Sequence, residues 1–329
     1  MSAPARRLRI CVVSSVGGHL REVLDLVQTF GTAEVRFLVN DAVQVSLPGP
    51  VEQIAHAERD ARVLWNAVEA AESFSRHRPD VLLSTGAGPI VPLSIVGKLY
   101  RAQTIYIETF GSVDKPSLTG TLMEPLADRL YYQWPQLAPH FPRGRYAGPI
   151  FVPQPATRPD DGSLFVAVGT SQRGFDRLMR WIDALARQNA LPGPVEAQTG
   201  ITLNYPSIFK HYPQLSSDVL EQKLAAAKVV ICHAGAGIVG TCLRLGKRPI
   251  VVPRLAHYNE AINDHQLMLA NALAQAGQAI VVTDEAQLRP AIASAWSGPP
   301  LATSPAKHRL HDAIAADLRE IAARRSLSI

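Results

Sequence analysis

Short apolar runs alternate with longer amphipathic stretches along most of this chain. In its first half the apolar runs lie at 8–15, 34–40, 81–85, 103–109 and 129–134. The stretches between them have helical spacing, and Leu20, Val23 and Leu24 share one face of the first predicted helix. Continuous apolar runs are typical of parallel strands covered on both faces. The first half therefore predicts a doubly wound α/β domain.

The same alternation restarts near residue 163. The predicted strands are 163–170, 194–200, 228–237, 248–253 and 278–283, and the helices between them are 174–190, 216–227 and 263–276. A proline-rich polar stretch precedes this second series. We therefore expect a first domain at 1–152, a linker at 153–162 and a second domain at 163–329 with C-terminal helices. Two such domains facing a cleft would bind ligands at the carboxyl ends of their strands.

Composition and charge narrow the function classes. Hydrophobic residues make up 47% and charged residues 19% of the 329 residues, which excludes a disordered chain. The net charge of +5 is not gathered into runs, so nucleic acid is not an expected partner. Cys11, Cys232 and Cys242 lack metal-site spacing, and no apolar run reaches the length of a signal peptide or membrane span. A soluble or peripheral cytoplasmic protein without a metal is expected.

The sharpest local motif is a glycine loop between a strand and a helix. Glycines there let the backbone approach a phosphate, and the first N–H groups of the helix favour an anion. The spacing of Gly235, Gly237 and Gly240 also fits a dinucleotide fingerprint, but the acidic residue expected about 20 positions later is missing and Arg254 stands nearby. A diphosphate is therefore preferred over a dinucleotide. The loop consists of His233, Ala234, Gly235, Ala236 and Gly237.

A second polar cluster follows the predicted strand 248–253. Helix capping explains part of it, with Asn263 as N-cap and Gln266 as its N3 partner. Ligand binding is favoured over capping alone because so many hydrogen-bonding groups stand at the carboxyl end of a strand. Its histidines lack the spacing of a zinc site. The candidate ligand-binding residues are Arg254, Glu260, Asn263, Asp264, His265 and Gln266.

In the first domain, a histidine follows a pair of glycines at the end of the first strand. His19 comes directly after Gly17 and Gly18, and a neutral imidazole can accept a proton near pH 7. A helix-start histidine bonded to the backbone is the alternative. Glu108 ends the fourth predicted strand and could serve as base or acceptor contact instead. The neighbouring strand ends supply Gly86, Gly88 and Thr109 to the same expected site.

Several of these motifs together resemble a known family. The segments 166–178, 198–200, 233–238 and 252–270 resemble the catalytic subunit of two-component, lipid-linked sugar transferases. The segments 14–24, 84–92 and 106–137 are similar to the acceptor-binding, membrane-associated partner subunit. Relatives include the dolichol-pathway N-acetylglucosaminyltransferase, bacterial exopolysaccharide transferases and, with the same order of domains, the peptidoglycan N-acetylglucosaminyltransferase. Here the two components are fused, with the acceptor part first.

The resemblance implies a GT-B fold and an inverting, metal-independent transfer from a UDP-sugar to a polyprenyl-diphosphate-linked saccharide. His19 would be the general base, with Glu108 as the alternative, and the UDP-sugar is a substrate, so no cofactor is expected. Gly17, Gly18, Gly86, Gly88 and Thr109 would contact the acceptor. The donor would be held by Gly169, Thr170, Gln172, Arg173, the loop His233–Gly237, Arg254, Glu260, Asn263, Asp264, His265 and Gln266.

The donor sugar and the mode of membrane attachment follow from finer features. Arg173 and Arg254 could pair with a glucuronate carboxylate, which favours UDP-glucuronate and exopolysaccharide synthesis. UDP-galactose and UDP-N-acetylglucosamine are the alternatives. A UDP-sugar epimerase and a non-catalytic nucleotide-sugar sensor remain as rivals from other classes. Since no membrane anchor is expected, the apolar stretch 89–101, which ends in basic residues, is either an interfacial element at the inner face of the cell membrane or a buried helix.

Overall fold

The computed structural model describes residues 6–43, 46–55, 62–155, 159–202, 208–299, 301 and 308–329. The chain divides into two compact units. The first consists of Met1–Ile150 together with Lys307–Ile329, and the second is Phe151–Ala306. Each unit is built on its own parallel β-sheet.

The first unit contains a seven-stranded sheet in the order β3-β2-β1-β4-β5-β6-β7, parallel throughout. Each of the five predicted strands is present. Two further strands, β3 and β7, are short and largely exposed at the sheet edges, so no apolar run marks them in the sequence. The strands are β1 Arg9–Ser14, β2 Glu34–Val39, β3 Val51–Gln53, β4 Val81–Ser84, β5 Gln103–Ile107, β6 Arg129–Tyr132 and β7 Arg145–Tyr146.

Helices connect these strands. The first of them continues into a short 3-10 helix at Val27–Phe30, and another 3-10 helix, Pro135–His140, follows β6. Ser117 caps the fourth helix, because its side chain accepts a hydrogen bond from the Gly120 N–H. The helices are α1 Gly18–Leu26, α2 Arg62–His77, α3 Ile90–Leu99 and α4 Leu118–Met123.

The second unit repeats this plan with a six-stranded parallel sheet in the order β10-β9-β8-β11-β12-β13. Its core packs apolar residues of the strands against one face of the helix that follows β8, including Phe175, Leu178 and Ile182 as predicted. The strands are β8 Leu164–Ala167, β9 Val195–Gln198, β10 Lys210–Tyr212, β11 Val229–Cys232, β12 Ile250–Val251 and β13 Ile280–Val281. The helices are α5 Asp176–Arg187, α6 Ser217–Ala226, α7 Ala236–Arg244, α8 His265–Gln275 and α9 Glu285–Ser297.

Both sheets reverse their strand order at one point. In the first unit the chain turns outward in opposite directions from β1 and β4, and in the second unit from β8 and β11. At such a switch point the loops leaving two adjacent strands diverge, which opens a crevice at their carboxyl ends. The glycine loops after β1, β4, β8 and β11 all lie at these two positions.

The C-terminal helices were predicted to lie in the second domain. In the structure the last helix, α10 (Arg309–Arg324), packs into the first unit instead. Its Asp317 carboxylate accepts hydrogen bonds from the Arg129 guanidinium and the Tyr131 hydroxyl of β6. The apolar face of the helix is buried at Leu310, Ile314, Leu318 and Ile321. Helix periodicity is local and could not show which sheet this face would cover.

The stretch 153–162, which was predicted to be a linker, belongs to the second unit. The second unit already begins at Phe151, and both ends of the 153–162 stretch are tied into it. The Gln154 N–H donates to the Leu243 carbonyl, and the Asp161 N–H donates to the Ala226 carbonyl. Residues 156–158 lie outside the described part of the chain. The domain boundary therefore falls at 150/151.

Replacing Asp317 with alanine should destabilise the first unit by about 3 kcal/mol, since it leaves the buried Tyr131 hydroxyl without its acceptor and leaves the largely buried Arg129 with only the more exposed Glu320 carboxylate. Urea denaturation of the full chain measures this loss. Glu320→Ala is the matched control: it removes the other carboxylate on Arg129, but that side chain is 41% exposed and its loss should be much smaller. Equal losses in the two variants would contradict the structural role of Asp317.

Candidate functional site

His19 lies at the switch point of the first unit, in the first turn of α1. Its Nδ1 is 3.0 Å from the Thr85 carbonyl oxygen in the loop after β4, and the Thr85 hydroxyl donates to the His19 carbonyl. A carbonyl can only accept, so in the neutral ring Nδ1 carries the proton and Nε2 has the free lone pair. Burial lowers the pKa of His19, partly offset by this hydrogen bond, so the ring is neutral at pH 7.

The His19 ring can lie against the loop after β4 because residue 86 is a glycine. Gly86 has φ +140°, and a Cβ added to it would lie 2.3 Å from His19 Cε1. Gly17, with φ +112°, makes the turn into α1. The predicted proximity of Gly17, Gly86 and His19 therefore agrees with the structure, and both glycines have a positive φ that favours glycine. Gly18 begins α1, and Gly88 is half-buried in the loop after Thr85.

Glu108 is not placed for its predicted role as base or acceptor contact. Its side chain is fully buried, and its carboxylate accepts hydrogen bonds from the N–H and hydroxyl of Ser117 at the start of α4. Burial raises its pKa, against the lowering effect of hydrogen bonds from Ser112 and Ser117. The sequence placed Glu108 correctly at the end of β5 but could not show that the side chain turns inward. Its role is to hold α4.

A second buried carboxylate, Glu22, was not identified from the sequence. It lies one turn after His19 on α1, and Oε1 is 2.6 Å from the Thr109 hydroxyl oxygen. Its Oε2 accepts from the Phe110 N–H at 3.1 Å and from the Gln133 amide at 3.2 Å. The three-residue spacing of His19 and Glu22 places both side chains on the same side of α1 and could have indicated that they lie close together. A charged residue at the edge of an apolar stripe is, however, ordinarily solvated.

Gln133 extends this network to the end of the first unit. Its amide nitrogen donates to Glu22 and to the Glu108 carbonyl, and its Oε1 accepts from the Ile150 N–H at 2.7 Å. Gln133 is fully buried, so every one of these contacts is away from solvent. The helix that carries His19 is thereby linked to the loop after β5 and to the last residue before the domain boundary.

In the second unit, His233 occupies the matching switch point. Its ring lies between two glycines: a Cβ on Gly169 would be 2.5 Å from His233 Cε1, and one on Gly235 would be 2.2 Å from Nε2. Nδ1 is 3.4 Å from the Ala167 carbonyl. Burial, reinforced by the positive charge of Arg254, lowers the pKa of His233 to about 4. This histidine is therefore neutral at physiological pH in the ligand-free protein.

The glycine loop leads into α7 as predicted. Gly235 is the N-cap of α7 and has no side chain to satisfy the first N–H groups, so those of Ala236 and Gly237 point out of the helix start. The loop after β8 faces this point with Gly169 in a left-handed conformation, φ +79°, and with Thr170 and Gln172 exposed. An anion can be bound here by backbone N–H groups and the helix dipole.

Arg254 does not offer its charge to a ligand. The side chain is only 2% exposed, and its guanidinium donates to the carbonyls of Val168, Arg173 and Gly174 at 2.8 Å. Burial lowers its pKa to about 10, so it remains charged at neutral pH. Arg254 thus ties the loop after β8 to the loop after β12, and the prediction that it binds donor directly is corrected. Arg173 is half-buried and donates to the Asn259 carbonyl.

Glu260 is likewise used within the protein. Its carboxylate forms a two-point ion pair with Arg177 of α5, at 2.8 and 3.0 Å, and accepts from the Leu255 N–H. The Arg177 guanidinium also lies 4.8 Å from the ring centres of Trp181 and Tyr258. Because Glu260 is 6% exposed, its predicted direct contact with the donor is replaced by a role in shaping the loop. Arg177 was not identified from the sequence.

The rest of the polar cluster remains available for a ligand. Asn263, Asp264 and His265 are exposed at the start of α8, and Gln266 is half-buried with its Oε1 accepting from the Arg254 N–H. The helix begins two residues later than predicted: Asp264, not Asn263, is its N-cap, and neither side chain makes the predicted capping box. Asn263 Oδ1 still accepts from the N–H of His265, the first residue of α8, at 3.3 Å, and Asp264 Oδ1 accepts from the Ala256 N–H at 2.8 Å, so part of the cluster is used within the protein.

Two further searches concern metals and membranes. Among the described residues there is no group of three or more histidine, cysteine, aspartate or glutamate side chains arranged to hold a metal ion. In the same part of the chain, none of the helices has both the length and the apolar character needed to cross a bilayer.

Two family models match the chain, one within the first unit and one over most of the second unit and the start of α10. Residues 55–150 match "Oligosaccharide biosynthesis protein Alg14 like", and residues 163–315 match "Glycosyltransferase family 28 C-terminal domain". The order of these two matches is the order predicted from the sequence motifs. The predicted relation to the dolichol-pathway and peptidoglycan N-acetylglucosaminyltransferases is thereby supported, with the acceptor-type component first.

Curated relatives of both kinds are similar to the chain. The UDP-N-acetylglucosamine transferase subunit ALG14 of Candida albicans is 34% identical over 91 residues, which are 26% of this chain and 42% of that protein. The chain therefore spans less than half the length of that relative. An Exiguobacterium UDP-N-acetylglucosamine--N-acetylmuramyl-(pentapeptide) pyrophosphoryl-undecaprenol N-acetylglucosamine transferase is 27% identical over 319 residues, covering 82% of this chain and 85% of that protein.

Solved structures share the fold. MurG of Acinetobacter baumannii superposes with a TM-score of 0.60 at 16% identity, covering 95% of this chain and 99% of that one. UDP-GlcNAc 2-epimerase of Methanocaldococcus jannaschii gives 0.68 at 10% identity, covering 95% and 100%. With two parallel-sheet α/β units and these neighbours, the fold is GT-B, as predicted. Together with the family models, the relatives support the predicted class of UDP-sugar glycosyltransferase.

Proposed function

We propose that this protein transfers N-acetylglucosamine from UDP-N-acetylglucosamine to a saccharide carried on a polyprenyl diphosphate. The proposal is supported by the two family matches in their order and by the relative that aligns with 82% of the chain. It replaces the predicted preference for glucuronate. Participation in exopolysaccharide synthesis remains a prediction.

The burial of Arg254 supports N-acetylglucosamine over glucuronate as the donor sugar. A glucuronate carboxylate needs a guanidinium free to form two hydrogen bonds with it. Arg254 donates instead to backbone carbonyls, and Arg173 holds Asn259. Arg254 is therefore not available to a glucuronate carboxylate, and Arg173 has its Nη1 bonded to Asn259, which weakens the argument for glucuronate. A neutral sugar requires no such partner.

The second unit would bind the donor diphosphate at the start of α7. The free N–H groups that follow Gly235, together with the loop at Gly169, would surround its oxygens. Thr170, Gln172 and the exposed groups of Asn263 and His265 would contact the sugar or ribose. As the bond from C1 of the sugar to UDP breaks, these N–H groups stabilise the charge that develops on the leaving phosphate, which is the task a metal performs elsewhere.

The first unit would supply the base. Nε2 of His19 has its lone pair free because Nδ1 is bonded to the Thr85 carbonyl. It would remove the proton from the acceptor hydroxyl while that oxygen attacks C1 from the side opposite UDP. A single displacement inverts the configuration and needs one base and no second carboxylate. Because Glu108 is buried, His19 is the better candidate for this base.

Three neighbouring helices of the first unit would contact the membrane. α3 packs against both α2 and α4, and all three expose apolar side chains. Leu99 is 82% exposed, the adjacent Lys98 is exposed, and Lys115 is exposed in the loop before α4. The stretch 89–101 combines both predicted roles, because it buries Ile90 and Leu93 against the sheet side. The apolar helix surface consists of Trp65, Val68, Ile95, Leu99, Leu118 and Leu122.

A donor panel tests the proposed activity. Purified full-length protein is incubated with a synthetic polyprenyl-diphosphate saccharide and UDP-N-acetylglucosamine, UDP-glucuronate or UDP-galactose, and the product mass is measured. We expect the lipid to gain N-acetylglucosamine in preference to the other sugars by at least about tenfold, about 1.4 kcal/mol in discrimination. Preferred transfer of glucuronate would contradict the donor assignment. The same incubation without lipid should yield neither free sugar nor an isomerised nucleotide sugar, as an epimerase would.

His19→Ala should lower the transfer rate by about 10²–10⁴-fold while UDP binding, which belongs to the other unit, is retained. His140→Ala, which removes an exposed histidine of the same unit, should leave the rate unchanged. Because burial lowers the pKa of His19, the wild-type rate should hold below pH 6.5 and fall only at more acidic pH, where the ring gains a proton. Steady-state rates and calorimetric titration with UDP measure both effects. Full activity of His19→Ala would exclude it as the base.

Leu99→Asp should weaken binding to phosphatidylglycerol vesicles by about tenfold, because it replaces apolar surface that would be buried in the membrane with a like-charged group. Vesicle sedimentation measures the partition coefficient. Val219→Asp on α6, in the second unit, is the matched control and should bind as the wild type does. A similar loss in both variants, or no loss in Leu99→Asp, would rule out this surface as the contact.

A further inference from the structure

Glu22 joins the helix that carries His19 to the loop proposed to contact the acceptor. The side chain is fully buried, and its two oxygens have unequal surroundings. Oε2 faces two N–H groups, from Phe110 and Gln133, which can only donate. Oε1 faces a single partner, the Thr109 hydroxyl, which can donate or accept. The network therefore admits two arrangements of protons, which differ only at the contact between Glu22 and Thr109.

The two arrangements present different groups at the partly exposed Thr109. If Glu22 is ionised, the Thr109 hydroxyl must donate inward to Oε1, and only its lone pairs are left to face outward. If Glu22 is neutral, its Oε1–H donates to the Thr109 oxygen, and the threonine's own hydrogen is free to point outward. A single proton on a buried carboxyl thus changes Thr109 from an acceptor to a donor.

We propose that Glu22 acts as a positioning residue in its neutral form, turning the Thr109 hydroxyl outward to donate a hydrogen bond to an oxygen of the acceptor saccharide or its diphosphate. The inference rests on the proposed function, because it assigns the ligand of Thr109 to that reaction's acceptor. It does not make Glu22 a catalytic residue, since the carboxyl does not contact the substrate.

The protonation state needed for this arrangement agrees with the surroundings of Glu22. Burial raises the pKa of Glu22 to about 8, and the negative charge of nearby Glu108 adds to the effect. The hydrogen bonds from Thr109, Phe110 and Gln133 act in the opposite direction but are weaker. Tyr106 also interacts with both carboxyls, and His19 lies one turn away on α1. Below pH 8 the neutral form is therefore the major one.

The proposal predicts that acceptor binding weakens at alkaline pH, and that this effect is independent of the titration of His19. As pH rises through 8, Glu22 loses its proton and Thr109 turns its hydrogen inward. At pH 9 about one tenth of the molecules keep the neutral form, so the acceptor KM should be about tenfold higher than at pH 7. Protonation of His19, in contrast, occurs at acidic pH and lowers the transfer rate.

The test measures acceptor and donor KM between pH 7 and 9 in the wild type and in Glu22→Gln. The glutamine can place its oxygen between the Phe110 and Gln133 donors and its NH₂ against Thr109, as the neutral acid does at every pH. We expect the rise in acceptor KM to disappear in this variant and the donor KM to show no such rise in either protein. Glu72→Gln, an exposed glutamate of α2, is the matched control and should keep the rise.

Three results would overturn the proposal: no rise in the wild type, a rise that persists in Glu22→Gln, or a Glu22→Gln acceptor KM at pH 7 that already equals the wild-type value at pH 9. The last result would mean that the ionised form is the active one. Thr109→Val provides a second line of evidence if Glu22→Gln does not fold. It should raise the acceptor KM at pH 7 and abolish the further rise, and a rise that remains would also overturn the proposal.

An infrared titration separates this inference from the proposed function. A protonated carboxyl has a C=O stretching band that disappears on ionisation. Wild-type protein should lose one such band with a midpoint near pH 8, and Glu22→Gln should lack that transition. If the band titrates as expected but N-acetylglucosamine is not transferred, the assigned reaction is wrong and the state of Glu22 stands. Absence of the band in the wild type would refute the neutral carboxyl.

Discussion

A hydrogen bond from an imidazole Nδ1 to a strand-end carbonyl, made possible by a glycine without a Cβ, occurs at the switch point of each sheet. His19 bonds to the Thr85 carbonyl beside Gly86, and His233 lies 3.4 Å from the Ala167 carbonyl beside Gly169. In both cases Nε2 is the nitrogen left without a proton. The crevice expected from strand order alone is thereby lined, in each unit, by a neutral ring held in one tautomer.

The two histidines differ in what surrounds them, and the difference fits the role proposed for His19. His233 is buried close to Arg254, whose charge further lowers a pKa already reduced by desolvation, to about 4. For His19 burial is the main cause of a lowered pKa, and no cation contributes. A general base must be able to take up a proton during the reaction. His19 meets that requirement better than His233, whose neighbour resists a second positive charge.

The sequence predicted the sheets well and the side chains of the site less well, for one physical reason. Continuous apolar runs and glycine loops are local patterns, so the strands and the positions of Gly86, Gly169 and Gly235 could be derived. Whether a charged side chain turns inward depends on residues distant in sequence. Arg254 is held by carbonyls about 80 positions earlier, and Glu22 by a loop about 87 positions later. No local pattern contains those partners, nor the sheet that α10 covers.

Buried charges in this protein build loops rather than bind ligands. Arg254 and the Arg177–Glu260 pair keep their charges inside the second unit, where breaking one partner would leave the other uncompensated. The proposed anion site consists instead of uncharged N–H groups at the start of α7, which need no counter-ion. The proposed donor diphosphate would bring its negative charge to a surface shaped in part by Arg254, whose guanidinium is buried. On the proposed function, a nucleotide-sugar site could thus be formed while the Arg254 and Arg177 guanidinium groups stay bonded within the protein.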